Sequence, residues 1–212
     1  MLDPMGALFW PAAGILAVSD LHLEKGSSFA PKGMLLPPWD TQATLDRLTL
    51  LLRRWCPAIV IGLGDSFHDA NGAARLPRSE LARLTAMTEA HRFIWVQGNH
   101  DPAPPEGVGG EWQEHFCAGP ILFRHQAGRP SAAAEIVGHH HPKALVPARG
   151  TSVSRPCFVA DRQRIMMPAF GAYTGGLDVG DPAIRRLFPT GGRVFLLGKD
   201  RLFSFALGQN GR

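Results

Sequence analysis

The sequence predicts an α/β sandwich, two facing sheets with helices on the outside, and two observations carry that prediction. In the first half, apolar runs and an amphipathic stretch follow one another as strand, helix, strand, helix, strand, the signature of a parallel sheet. In the second half, brief apolar runs alternate with Gly and Pro, the signature of a mostly antiparallel sheet. No repeat or low-complexity linker separates the halves, so residues 1–212 read as one domain.

Ala7–Trp10 and Ile15–Val18 are short apolar runs joined by Pro-Ala-Ala-Gly, a hairpin signal. Asp40 is placed to cap a helix that runs to Trp55, with Leu45, Leu48, Leu51 and Leu52 on one face and Pro57 as the stop. Ala58–Leu63 is continuously apolar and reads as a buried parallel strand. Ser79 can cap a second helix through Ala90, and Phe93–Val96 is the next strand. Pro102–Gly110 is a loop. Ile121–Phe123, Ile136–Val137, Cys157–Ala160, Ile165–Met167, Val194–Leu197 and Leu202–Phe205 supply the second sheet.

Composition narrows the function classes. Hydrophobic residues make up 45% and charged residues 19%, ordinary for a chain with a packed core. No apolar run reaches the roughly 18–20 residues of a membrane span. The apolar N-terminal stretch carries Asp3 and no basic segment, so it reads as strands and not as a signal peptide. Cys56, Cys117 and Cys157 are odd in number and far apart, which fits reduced thiols in a cytoplasmic protein. The charge is uneven. Residues 1–123 hold 9 Lys and Arg against 13 Asp and Glu, whereas residues 124–212 hold 13 against 5. A basic second half suits a polyanionic substrate.

Five segments end in metal-ligating side chains: Asp20-Leu21-His22, Gly64-Asp65, Gly98-Asn99-His100-Asp101, His125 and Gly138-His139-His140-His141. The first three follow expected strands, where active sites of open α/β sheets lie. Asp20 and His22 are two apart, a spacing that lets both side chains point one way. Carboxylate and amide oxygens with imidazole nitrogens suit divalent manganese, iron or zinc. Asp20, His22, Asp65, Asn99, His125, His139 and His141 are too many for one ion and enough for two that share a carboxylate. A carboxylate has two oxygens with which to bridge, which offers Asp65 that role. Paired metals recur in enzymes that attack phosphate esters. A closed structural zinc site would be rich in cysteine, and no cysteine lies near these segments.

The order DxH, GD, GNHD, H, GHxH resembles the calcineurin-like metallophosphoesterase superfamily. The stretches SDLHLEKGSSFA (19–30), GDSFHD (64–69), GNHDP (98–102), GHHHPKA (138–144) and PAFGAYTGGL (168–177) are similar to the PdeM family within it, the bacterial ligase-associated DNA damage response endonucleases. The likeness spans about residues 7 to 206. It implies a four-layer α-β-β-α sandwich and two divalent ions, manganese foremost. Asp20, His22 and His141 would serve the first ion and Asn99 and His139 the second, Asp65 would bridge them, and His125 would be a further ligand. It also implies a DNA ligase and a helicase as associates.

The activity expected is phosphodiester hydrolysis, with DNA the foremost substrate, by a hydroxide generated between the metals. His100, beside a ligand and unable to share its ion, would hydrogen-bond the phosphate or protonate the leaving oxygen. Asp101 would orient His100. His68 would contact phosphate or tune the metals, Lys25 and Lys143 would contact flanking phosphates, and Tyr173 would stack on a base. A phosphatase, a cyclic-nucleotide hydrolase or a nucleotide-pyrophosphate hydrolase could use the same residues. A non-catalytic scaffold is disfavoured because no ligand and no catalytic histidine is missing.

Overall fold

The computed structural model describes residues 1–128, 134–148 and 150–208. In chain order the elements are β1 (Leu8–Trp10), β2 (Ile15–Ser19), α1 (Lys25–Phe29), α2 (Asp40–Trp55), β3 (Ile59–Leu63), α3 (Gly72–Arg75), α4 (Arg78–Ala90), β4 (Arg92–Val96), β5 (Glu111–Gln113), β6 (His115–Ala118), β7 (Ile121–Arg124), β8 (Ala134–Val137), β9 (Lys143–Ala148), β10 (Thr151–Ala160), β11 (Arg164–Met166), α5 (Pro182–Arg185), β12 (Gly192–Leu197) and β13 (Leu202–Leu207). The first sheet runs β1-β2-β3-β4-β5 and is parallel except for the β1–β2 hairpin. The second runs β13-β12-β10-β11-β8-β7-β6, with β9 on β10. It is antiparallel apart from β8, which lies parallel to both β7 and β11.

Alternation along the first sheet builds the layers. Leu16, Val18, Val60, Phe93 and Trp95 pack on Leu45, Leu48, Leu51 and Leu52 of α2 and on Leu84 and Met87 of α4. Their neighbours Ile15, Ala17, Ile61, Leu63, Ile94 and Val96 face the other way, onto Phe123, Ile136 and Phe158 of the second sheet. A third core lies outside the second sheet, where Val179, Ile184 and Phe188 cover Cys157, Val159, Met166 and Val194. Three buried interfaces make four layers, as in a calcineurin-like sandwich, although α5 is the only helix of the outer fourth layer among the described residues. No helix is long and apolar enough to cross a membrane among the described residues.

Two expected caps act differently. Asp40 is the first residue of α2, and its carboxylate accepts the Gly26 N–H at 2.9 Å, tying α1 to α2. Ser79 lies inside α4, which starts after Pro77 with no side-chain cap. Helix α2 ends at Trp55, where Cys56 turns left-handed with φ 41° ahead of Pro57.

Leu48 is fully buried between α2 and the first sheet. Leu48→Ala is expected to cost about 2–5 kcal/mol in urea unfolding, and a loss under about 1 kcal/mol would contradict this packing.

Candidate functional site

The carboxyl ends of β2, β3 and β4 and the ends of β7 and β8 converge on one cluster. Pairing continues past the strands: Asp20 N–H donates to Gly64 O at 3.2 Å, His22 N–H to Asp65 O at 2.9 Å, and Leu23 N–H to Ser66 O at 2.9 Å. Gly138 N–H reaches His125 O at 2.9 Å, and Gly171 N–H reaches Asp20 O at 3.0 Å. The glycines are sterically required. A Cβ on Gly64 would run into the His125 ring, and one on Gly98 into the Asp65 backbone nitrogen.

The backbone is strained where the donors sit. Among the described residues, seven non-glycine residues have positive φ, and five of them are Asp20, His22, Asp65, His139 and His141. Each left-handed non-glycine residue costs on the order of 1–3 kcal/mol. Such strain persists only where surrounding contacts fix it, and here the bonds between loops do so.

The expected ligands form two sets, and His22 also groups with His68 and His100. In the first, His141 Nε2 lies 3.1 Å from Asp20 Oδ1 and 3.3 Å from His22 Nε2. In the second, His125 Nε2 lies 3.1 Å from Asn99 Oδ1, 3.2 Å from His139 Nδ1 and 3.3 Å from Asp65 Oδ2. That same Asp65 oxygen is 3.9 Å from His22 Nε2. Atoms bonded to one ion at about 2.0–2.1 Å in a tetrahedral array lie about 3.4 Å apart, so these separations suit atoms facing a common cation. The chemistry agrees. His125 Nδ1 is 3.2 Å from Leu63 O and can donate to it, which turns the Nε2 lone pair toward two oxygens and another imidazole. Acceptors converging on acceptors call for a cation.

Asp65 uses its oxygens unequally. Oδ1 accepts the His100 N–H at 2.9 Å, which leaves Oδ2 to face both sets. Oδ2 is thus the Asp65 oxygen closest to both sets.

Charge and burial set the protonation of the cluster. Burial alone would raise Asp20, but the hydrogen bond and charge of His141, with help from His125 and Ser19, hold it below the usual carboxylate range. Asp65 is likewise held low against its burial by His125, the His100 amide and His22. Burial pushes His22 down to about 3, against the pull of Asp20 and Asp65. Burial also lowers His139, joined by the charges of His125 and His140. His125 is the exception: burial opposes its proton, but Asp65, Asp20 and the Leu63 carbonyl outweigh that and raise it. In the metal-free protein that shift favours a proton on His125.

His100 stands at the edge of the cluster with Nε2 3.9 Å from Asp65 Oδ2 and a side chain 39% exposed. Its Nδ1 is 2.7 Å from the His68 carbonyl oxygen. Asp101 does not orient it. The Asp101 carboxylate accepts Ser66 N–H at 2.7 Å, Phe67 N–H at 3.1 Å and Gly98 N–H at 3.0 Å, stapling the two ligand loops together. Burial raises Asp101 to about 6, with Asp65 adding to the rise and the three amides opposing it. An aspartate one residue after a histidine suggests a partner for it, whereas Asp101 bonds to Gly98 of its own loop and to Ser66 and Phe67 of the other.

His68 lies between two site histidines. Its Nδ1 is 3.2 Å from His22 Nδ1, and its ring stacks on His100 with centroids 5.2 Å apart and on Phe29 at 5.7 Å. It steadies His22 and His100 from behind. Lys143 Nζ donates to Thr174 O at 3.4 Å, and its charge helps lower half-buried Lys25, for which burial is the larger cause. These lysines follow His22 and His141 in sequence and flank the first set. Tyr173 is half-buried in the adjoining loop. Two contributors escaped the sequence. Ser19 Oγ donates to Asp20 Oδ2 at 2.5 Å. Arg47 donates to Phe170 O at 2.9 Å and to Met5 O at 2.7 Å, pinning the loop that carries Tyr173.

Comparison with known proteins agrees with this geometry. The family model described as calcineurin-like phosphoesterase matches residues 13–154. No curated protein matches the sequence. Among solved structures, the Pseudomonas putida nuclease MPE is 25% identical, covering 96% of this chain and 93% of its own, with a TM-score of 0.73. The Escherichia coli phosphoesterase Yfce is 13% identical over 92% of this chain and 99% of its own, with a TM-score of 0.42.

Two outcomes are expected. His68→Ala leaves the backbone acceptor for His100 in place and removes the neighbour of His22, so manganese affinity should fall about 10–100-fold in calorimetry, and unchanged affinity would contradict the role. For His125, the stability that its proton lends the metal-free protein is complete below its ordinary value of 6.5 and is lost as pH rises through the raised folded value. A metal needs the neutral ring, so its affinity moves oppositely. Manganese should bind more tightly at about pH 8 than at about pH 6, with proton release seen as buffer-dependent heat; equal affinities would contradict this.

Proposed function

The chain belongs to the calcineurin-like phosphoesterase family and is a phosphoesterase, and from that premise we propose that it is a phosphodiesterase of the nuclease kind, dependent on two divalent ions and acting on DNA. The observation that carries this reading is the pair of donor sets meeting at one oxygen, Asp65 Oδ2. The DNA assignment draws on the 25% identity to a Pseudomonas nuclease over nearly the full length of both chains. It also draws on the basic second half and on the lysines beside the first set. The resemblance to the ligase-associated endonucleases extends the proposal to repair, with a DNA ligase and a helicase as associates.

Asp20, His22, His141 and Asp65 would hold one ion, and Asp65, Asn99, His125 and His139 the other. Manganese, iron and zinc all suit these donors, and manganese is the first choice. When bound, such ions neutralise the phosphate and make water a competent nucleophile near neutral pH.

The residues of the chain do the rest. Hydrogen bonding of Nδ1–H to the His68 carbonyl fixes the His100 ring and sends Nε2 toward the opening. With Nδ1–H so engaged, Nε2 carries a proton only in the imidazolium form. That form donates to the leaving oxygen as its bond to phosphorus breaks, and the proton passes to the departing alkoxide. Lys25 and Lys143 hold neighbouring phosphates, so the strand lies across the site.

The test is hydrolysis of bis-p-nitrophenyl phosphate and p-nitrophenyl phosphate by metal-stripped protein, with and without manganese. Manganese-dependent cleavage of the diester, with little of the monoester, is expected; preference for the monoester would make the protein a phosphatase instead. Asp65→Ala should lower turnover by about a thousandfold or more, and near-wild-type turnover would contradict the shared-oxygen centre. His100→Ala should keep metal binding and lose about a hundredfold or more on alkoxide leaving groups, with a smaller loss on nitrophenolate. Equal losses would contradict proton donation.

A further inference from the structure

Beside Asn99 and His125 a cleft of about 530 Å³ opens, walled by Gln97, Glu114, His115, Leu122, Arg124 and Gln126. That volume is in the usual range of ligand sites, about 300–1,000 Å³. The cleft adjoins the second donor set, whose Asn99 and His125 line it.

Its walls are not built for phosphate. Arg124 is the only Lys or Arg lining it, and its guanidinium is committed to Glu135, a carboxylate it shares with Arg164. Its Nε donates to Glu135 Oε2 at 2.6 Å, its Nη2 pairs with the same carboxylate, and Glu135 is further fixed by Arg164 Nε at 2.5 Å. Glu114 would repel an anion. What remains are groups with hydrogen-bonding capacity to spare. Among the described residues, the Gln97 amide, the Glu114 carboxylate and the His115 ring have no side-chain hydrogen-bond partner, and the Gln126 amide has only Asn99 Oδ1 at 3.5 Å. Leu122 adds an apolar surface. A ligand for this cleft is uncharged, hydrogen-bonds along an edge, and is joined to the phosphate at Asn99 and His125.

Resting on the DNA reading above, we infer that this cleft is a nucleobase subsite for a nucleotide flanking the scissile phosphate, selecting bases with an exocyclic amino group through Glu114. A carboxylate accepts from the amino group of cytosine, and amide side chains pair with base edges that offer both a donor and an acceptor. Thymine has no exocyclic amino group and presents only carbonyl oxygens and a ring N–H along its pairing edge. Opposite Glu114 it offers a single ring N–H flanked by two carbonyl oxygens that the carboxylate repels, a poorer match than an exocyclic amino group.

The experiment uses full-length, manganese-loaded protein and single-stranded oligonucleotides of thymidine that carry one deoxycytidine or deoxyadenosine at a defined position. Cleavage at each bond is compared for wild type, Glu114→Gln and Gln97→Ala, with bis-p-nitrophenyl phosphate hydrolysis followed in parallel as a report on the metal centre. Glu114 is exposed, so its replacement leaves the core intact. Wild type is expected to cut beside the amino-bearing base about fivefold or more faster than at plain thymidine bonds. Glu114→Gln should erase most of that difference, and Gln97→Ala should lower the oligonucleotide-to-diester rate ratio. Indifference to the base, a preference that survives Glu114→Gln, or equal falls on oligonucleotide and small diester would each overturn the subsite. Cleavage of the small diester with no cleavage of any oligonucleotide would instead remove the DNA reading on which the subsite rests.

Discussion

The structure is organised around a concentration of electron-pair donors that the fold forces together. Asp20 and Asp65 are almost wholly shielded from water, and His22 and His125 are buried beside them. Their Asp–His attractions offset part of the cost of burying them together. The backbone imposes their proximity, through five left-handed non-glycine residues at strand ends and through amide bonds that carry strand pairing into the ligand loops. At about 1–3 kcal/mol for each strained residue, the total strain rivals the net stability of a whole domain. The three interlayer cores underwrite it, and bound cations would repay part of it by turning repulsion among donors into attraction. Where the metal-free protein keeps a proton on His125, it is relieving the same crowding.

Much of this was legible in the sequence because the signals are local. The Asp-x-His, Gly-Asp and Gly-Asn-His-Asp segments each follow a hydrophobic run, and a strand end is where such a run delivers them. The leucine face of α2 and the stop at Pro57 follow from helical periodicity. The change from parallel to mostly antiparallel pairing follows from the change in Gly and Pro spacing. What escaped depends on contacts between segments far apart in sequence. Asp40 looks like a cap for its own helix and bonds instead to Gly26 of another. Asp101 looks like the partner of His100 and bonds instead to three amides of two loops. Strand β9 contains a lysine, a proline and little alternation, so nothing in its own residues announces it.

The two sides of the site differ in chemistry. Lysines and a glycine-rich loop border the first donor set, whereas the second opens onto a cleft whose one arginine is paired with a buried glutamate. A phosphate chain and a base make opposite demands, and the site offers each a different wall. Under the proposed nuclease reading the fold that fixes the metal donors would also orient a strand across them, since β7 ends at Arg124 and runs directly into His125.

The most direct test of the account is anomalous diffraction from manganese-soaked crystals. The account predicts two peaks about 3.5–4 Å apart, both adjacent to Asp65 Oδ2, one among Asp20, His22 and His141 and the other among Asn99, His125 and His139. A single peak, or two that do not share Asp65, would contradict it.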